Sequence, residues 1–227
     1  MNPARTESGR RPSIGGSVAY LLLNLPVGIV GFVFLVTMLA VGVSTAIIWV
    51  GVPLLAVTIL ATRGAARLER ARIYALLDSY IHLPYRPLPE EGQKERWKAR
   101  LKDSATWKDV TYFLLLFPIG IAQFVITVTL WAAALGLTTL PIYYRFLPEG
   151  AYYFPAWDVR WFTVDSVVSA LPWAALGVLL LGVSAVVCRG IATAHARFAE
   201  LMLGPGRERE ESDASFPGTA TMSPVAG

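Results

Sequence analysis

Charge is what this sequence has least of. Only 16% of its 227 residues are Asp, Glu, Lys or Arg, against about a quarter in an ordinary soluble domain. The few charges are also clustered. None occurs among the 51 residues between Arg11 and Arg63, the 35 between Asp109 and Arg145, or the 23 between Asp165 and Arg189. Cysteine is nearly missing: the single Cys188 excludes an intrachain disulfide and a cysteine-based zinc site. Histidine is limited to His82 and His195, and there is no P-loop, dinucleotide fingerprint, zinc-ligand cluster or nucleophile elbow. No metal, cofactor or catalytic residue is therefore assigned. The uncharged runs also lack the ionisable groups that usually mark a path for ions through a membrane.

What is there is apolar. The hydrophobic fraction is 55% and the mean hydropathy is +0.52. A bilayer core takes roughly 20 apolar residues in a helix. The first uncharged run is long enough for two spans and a tight turn, and the second and third hold one span each. These readings predict an all-α membrane protein with four transmembrane helices near 18–39, 44–62, 110–137 and 167–188. The basic N-terminal stretch resembles the start of a signal peptide, but the apolar run behind it far exceeds a roughly 7–15 residue signal core, favouring a retained helix.

The net charge of +4 follows from topology rather than from nucleic-acid binding. Of the 20 Lys and Arg residues, 18 fall before the first span, between the second and third, or after the fourth; only Arg145 and Arg160 lie between the third and fourth. The positive-inside rule then puts both termini and the central loop in the cytoplasm, in the cell (plasma or inner) membrane.

The chain also repeats itself. At a shift of 92, "YLLLNLPVGIVGFVFLVT" (20–37) and "YFLLLFPIGIAQFVITVT" (112–129) agree at ten of eighteen positions, including Tyr20/Tyr112, Pro26/Pro118, Gly28/Gly120, Phe32/Phe124 and Thr37/Thr129. The second and fourth spans both exit through Arg-Gly, at Arg63-Gly64 and Arg189-Gly190, into an Ala-, Arg- and Leu-rich stretch. Two parallel two-helix repeats are expected, about 17–78 and 105–204. Each is followed by a cytoplasmic amphipathic helix whose arginines reach toward lipid phosphates. The relay candidates there are Arg63, Arg67, Arg70, Arg72, Arg189 and Arg197. The first hairpin is expected to turn within Ala40–Val43. Pro26, Pro53 and Pro118 are candidate hinges inside spans, and Ser104 or Thr106 is a candidate cap for the third helix. "KERWKARLKDSATWKD" offers a further basic amphipathic segment with Trp97 and Trp107 as interfacial anchors. Residues 1–16 and 205–227 are polar and expected to be disordered.

The two halves differ between residues 140 and 165, where only the second carries a sizeable outer loop, dense in aromatic residues. Interfacial anchoring explains such density; so does an aromatic-lined sensing site. The candidate sensing residues are Tyr143, Tyr144, Arg145, Tyr152, Tyr153, Trp157, Asp158, Arg160, Trp161 and Asp165. The deepest polar groups of the spans are Asn24, Thr37, Ser44, Thr45, Thr58, Gln123, Thr127, Thr129, Ser169 and Ser184. They are expected to bond between helices or back to their own carbonyls, with a polar path through Asn24, Thr37, Gln123 and Thr129 as the competing reading. A cluster of Asp78, His82 and His195 is the only enzyme-like grouping.

"YLLLNLPVGIVGFVFLVT", "GVPLLAVTILATRGAARLERARIYALL", "DSATWKDVTYFLLLFPIGIAQFVITVTLW" and "RGIATAHARFAELMLG" together resemble the putative sensor domain of actinobacterial signalling proteins, over about residues 17–204. Members of that family are often joined to a histidine kinase and sometimes stand alone. The resemblance implies a four-helix module that perceives a cue and passes it to a cytoplasmic output. No phosphoacceptor motif or ATP-binding region follows Gly204 here, so the expected output is a histidine kinase or other cytoplasmic regulator acting in trans. The leading expectation is thus a non-enzymatic membrane sensor of two-component signalling, with the lipid bilayer, that regulator and a second copy of the chain as partners. A small transporter or channel is the alternative.

Overall fold

The computed structural model describes residues 12–85, 92–156, 158 and 160–205. Most of the two terminal stretches expected to be disordered lies outside these residues, as does Trp157. Five α-helices and one β-hairpin follow in order: α1 (Ile14–Thr45), α2 (Gly51–Leu77), α3 (Gln93–Lys102), α4 (Ser104–Tyr143), β1 (Tyr152–Pro155), β2 (Arg160–Val164) and α5 (Val167–Leu203). Helices α1, α2, α4 and α5 are each long and apolar enough to cross a membrane. Their outward faces carry the apolar side chains that lipid would cover, such as Val30, Val57, Val125 and Leu179.

The helices are longer than the spans predicted from charge gaps. The 40 residues of α4 reach about 60 Å at 1.5 Å per residue, twice the roughly 30 Å of a bilayer core. The amphipathic stretches expected as separate cytoplasmic helices are simply the ends of α2 and α5, which run unbroken through Arg63 and Arg189. Ala, Leu, Arg and Glu are strong helix formers, and nothing there interrupts the backbone. At the N-terminus, Ser13 caps α1 by accepting from the Gly16 amide at 3.0 Å, so residues 14–16 are helical rather than disordered.

Three local expectations need correction. Helix α1 does not turn within Ala40–Val43 but continues to Thr45, and the chain reverses at Ala46–Val50 through Trp49, which has φ 64°. The hydroxyls of Ser44 and Thr45 return to the carbonyls of Ala40 and Val41, a bond compatible with helix, so they extend α1 instead of ending it. Pro53 is the third residue of α2, where its missing N–H would have had no intrahelical partner, so it starts the helix rather than kinking it. The cap of α4 is Asp103, accepting from the Ala105 amide at 3.1 Å, not Ser104 or Thr106. Pro26 and Pro118 do lie inside their helices.

Two antiparallel helix pairs, α1–α2 and α4–α5, pack through the contact of α1 with α4. The repeated glycines make that contact close. A Cβ on Gly28 would stand 3.0 Å from the Leu116 carbonyl oxygen and the Phe117 Cα. One on Gly120 would stand 2.7 Å from the Asn24 carbonyl oxygen. Shifting Asn24 by 92 gives position 116, and shifting Gly28 gives 120, so the two contacts correspond under the sequence shift. Backbones at this separation leave no room for a side chain.

The main buried cluster sits where the N-terminal halves of α1 and α4 meet the C-terminal halves of α2 and α5. It includes Tyr20, Leu21, Ile73, Tyr112, Leu116, Ala192, Ala199 and Leu203. A second, smaller cluster of Leu140, Val164 and Ala170 holds the β-hairpin to α4 and α5. That hairpin was not anticipated. Tyr152 pairs with Val164, Tyr153 with Thr163 and Phe154 with Phe162, aromatic and β-branched residues that favour a pleated surface.

Candidate functional site

The main cluster is apolar except at its centre, where seven polar side chains from all four long helices meet. Tyr20 and Asn24 come from α1, Glu69 and Arg72 from α2, Tyr112 and Gln123 from α4, and His195 from α5. Glu69 and His195 are each 3% exposed. A single carboxylate oxygen, Glu69 Oε1, accepts from the Tyr20 hydroxyl at 3.0 Å, the Tyr112 hydroxyl at 3.0 Å and Arg72 Nη2 at 2.7 Å. The two tyrosines are the first residues of the matching segments 20–37 and 112–129, and they converge on one atom.

The remaining bonds close a ring. Arg72 Nη2 also donates to Asn24 Oδ1, and Asn24 Nδ2 donates to Gln123 Oε1. Gln123 Nε2 lies 2.9 Å from His195 Nδ1, and His195 Nε2 lies 3.1 Å from the Tyr112 hydroxyl. Arginine carries donors only, so it fixes the direction of every bond that follows. Asn24 must present oxygen to Arg72 and nitrogen to Gln123. Gln123 must present oxygen to Asn24 and nitrogen to His195, whose Nδ1 therefore accepts. His195 then donates through Nε2 to Tyr112, which donates to Glu69. The Arg72 guanidinium also lies 4.6 Å from the Tyr20 ring centroid. Its Nε and Nη1 are buried with no hydrogen-bond partner.

A second polar group ties the ends of the helices together. Arg70 donates from Nε and Nη2 to the Leu203 carbonyl at 3.1 and 2.9 Å, and Nη2 is 3.4 Å from Asp109. Arg63 pairs with Asp103 at 2.7 Å and donates from Nε to the Thr106 hydroxyl at 3.1 Å. Tyr85 donates to Asp109 at 2.7 Å, with Arg63 4.4 Å from its ring centroid. Burial, and then the charge of Asp109, pushes the Tyr85 hydroxyl up to about 12, so it stays protonated and able to donate.

These contacts revise the reading of the arginines. Arg63, Arg70 and Arg72 face inward to carboxylates and carbonyls rather than outward to phosphates, because the carboxylates of Asp103, Asp109 and Glu69, each no more than 8% exposed, stand beside them. Arg67 and Arg197 are exposed, and Arg189 is half-buried. Among the deep polar groups, Asn24 and Gln123 join the ring. Thr58, Ser184 and Thr45 bond to their own helix carbonyls. Thr37 and Thr129 stand on the exposed surface, so the polar path through them and the ring amides is not assembled. Asp78, His82 and His195 do not form the enzyme-like grouping: His82 is exposed and packs on Tyr80 at 4.8 Å, while His195 is buried in the ring. Among the described residues, no group of three His, Cys, Asp or Glu is placed to hold a metal ion.

The candidates between residues 140 and 165 divide. Tyr143, Tyr144 and Tyr152 pack on the small cluster with Phe154, which stacks on Trp173 at 3.9 Å. Tyr153 donates to Glu149 at 2.6 Å, a bond that raises its hydroxyl above the ordinary value, and Arg160 lies 3.6 Å from Glu149 and 4.2 Å from the Tyr153 ring centroid. Trp161, Arg145, Asp158 and Asp165 are exposed. Glu69 is the residue sequence reasoning missed. The Arg-Gly alignment of α2 with α5 is a shift of 126, which pairs position 69 with 195, so the signal was present.

A family model described as "Putative sensor" matches residues 20–203, a span that begins at the first ring tyrosine and ends at the carbonyl that Arg70 holds. None of the curated proteins and none of the solved structures compared matches the chain.

Proposed function

The chain belongs to the "Putative sensor" family, and from that premise we propose that it is a non-enzymatic regulatory module of the plasma or inner membrane. It takes a cue from the outer face or the bilayer and passes it by helix rearrangement to a cytoplasmic partner acting in trans, a histidine kinase or another regulator. The distribution of Lys and Arg supports a cytoplasmic position for the ring end and both termini. The observation that carries the reading is the closed ring itself. Its members come from four helices, so displacing any one helix breaks a bond to another, and a displacement at the far end of a long helix is felt there. A sensor needs two arrangements within a few kcal/mol of each other, and a ring of directional bonds is a structure with discrete alternatives.

The test is site-specific photo-crosslinking in native membranes from the exposed positions Arg197 and Leu201 of α5. The expected result is capture of a cytoplasmic signalling protein whose activity changes when Glu69 is replaced. Capture of none, or the same capture from the outward-facing Val178 in the N-terminal half of α5, overturns the reading.

A further inference from the structure

We propose that the ring is a binding site for one proton, taken up at His195 Nδ1, and that its occupancy decides whether Arg72 and Asn24 remain joined through the ring. The regulatory meaning rests on the sensor reading above; the chemistry does not. Every bond in the ring has one allowed direction, set by a residue that cannot accept. From Arg72 the sense runs through Asn24 and Gln123 to His195, which is held neutral with its proton on Nε2.

A proton arriving from solvent forms an N–H bond at Nδ1, and nothing leaves. His195 is then a donor on both sides, and its new N–H faces the Gln123 NH2 group. To accept it, Gln123 turns its oxygen toward His195 and so places NH2 against the Asn24 NH2. Asn24 can answer by turning as well, but this sets its NH2 against Arg72, which has no acceptor to offer. The polarity of the amide chain can invert and the arginine cannot, so one link between His195 and Arg72 must open. The opening falls beside the close approach of α1 and α4, because the Asn24 carbonyl is the group packed on Gly120.

The surroundings of His195 do not supply another route. From α1 it faces the Tyr20 ring at 5.3 Å; from α4, the Tyr112 hydroxyl and ring, with Gln123; and from its own helix the apolar Phe198 at 5.9 Å. From α2 the charged groups are Glu69, reached through the Tyr112 hydroxyl, and Arg72, and they are paired with each other at 2.7 Å. Glu69 meets the ring's donors with one oxygen, Oε1, and the group that faces Nδ1 is the Gln123 NH2, which cannot accept. The ordinary histidine range spans physiological pH, which makes this residue type, rather than the buried tyrosines, the one suited to the task.

The experiment is side-chain nitrogen NMR of the full chain in lipid nanodiscs during a pH titration. There are two histidines in the sequence, and a His82→Gln variant leaves His195 alone in the spectrum. The expected result is the Nε2–H tautomer at neutral pH, then loss of the acceptor signal of Nδ1 on acidification, with the Asn24 and Gln123 amide resonances moving in the same step. In Gln123→Leu the histidine still titrates but the Asn24 amide stays still; Asn24→Leu, read at Gln123, serves if that variant does not fold. An Nδ1–H tautomer at neutral pH, amides that stay silent while His195 titrates, or a His195 that remains neutral until the protein unfolds overturns the proposal. Crosslinking from Arg197 is a separate readout. Partner capture without the amide transition removes the proton and keeps the relay, and the transition without capture does the reverse.

Discussion

Glu69 and Glu149 each hold an arginine and a tyrosine hydroxyl, and in both places the guanidinium lies over the tyrosine ring, at 4.6 Å for Arg72 and 4.2 Å for Arg160. The chemistry is the same, yet the surroundings are not. Glu69 and Arg72 are 2.7 Å apart with side chains 2% and 15% exposed. Glu149 and Arg160 are 3.6 Å apart with side chains 53% and 46% exposed. In the exposed hairpin water competes for every bond and dissolved salt screens the pair. In the ring the partners come from the protein, so the loss of one leaves a buried group without its bond. The aromatic loop draws the eye in the sequence, whereas the buried ring is where a small chemical change has a large mechanical effect.

Breaking the buried side of that comparison should have the largest effect. Glu69→Leu leaves the Arg72 cation and two tyrosine hydroxyls without their acceptor and is expected to cost about 3–5 kcal/mol. Chemical unfolding of the protein in nanodiscs measures it. Adding Arg72→Met to that variant should recover most of the loss, since an apolar replacement of both charges removes the stranded cation. A failure to recover would mean that Arg72 is held chiefly by Asn24 and the Tyr20 ring.

A smaller change sharpens the contrast between tyrosines. Tyr112→Phe removes the donor to Glu69 and the acceptor for His195, an expected loss of about 1–3 kcal/mol. Tyr153→Phe removes a shorter hydrogen bond, 2.6 Å against 3.0 Å, from the exposed hairpin and should leave the unfolding midpoint unmoved. A larger loss for Tyr153→Phe than for Tyr112→Phe would show that bond length, not burial, sets the cost. Smallest of all is Glu149→Gln, for which no measurable shift in unfolding temperature is expected. Its effect should be confined to faster hydrogen exchange at the paired strands, and 1 M salt should reproduce it in the unchanged protein.

Much of the fold could be read from the chain. The charge gaps gave the number of spans, because a bilayer core excludes ions; Pro-x-Gly in a shared frame was legible as a repeat, but that its glycines lie where α1 and α4 press together was visible only in the structure. The helix ends were harder. Residues such as Ser44, Thr45 and Gly42 are compatible with a turn or with helix, and the choice depends on whether their hydroxyls find a carbonyl one turn back. The site was the least legible part. Asn24, Gln123, His195, Arg72 and the two tyrosines each stood out singly, but they are separated by up to 175 positions (20 to 195), and no local pattern joins them.

The sequence by itself determined that this is a four-helix membrane protein with its positive charge at one end, since water and lipid sort side chains by polarity whatever the contacts. Only the tertiary structure decided which polar groups share a buried centre. Glycine-sized gaps at Gly28 and Gly120 draw α1 and α4 together, and α2 and α5 follow beside them. Glu69, Arg72 and His195 thereby come within hydrogen-bond reach of partners that sequence distance had hidden. In that buried centre the bonds run from one cation to one carboxylate, directly from Arg72 to Glu69 and by way of Asn24, Gln123, His195 and Tyr112, which is why each has a single allowed direction.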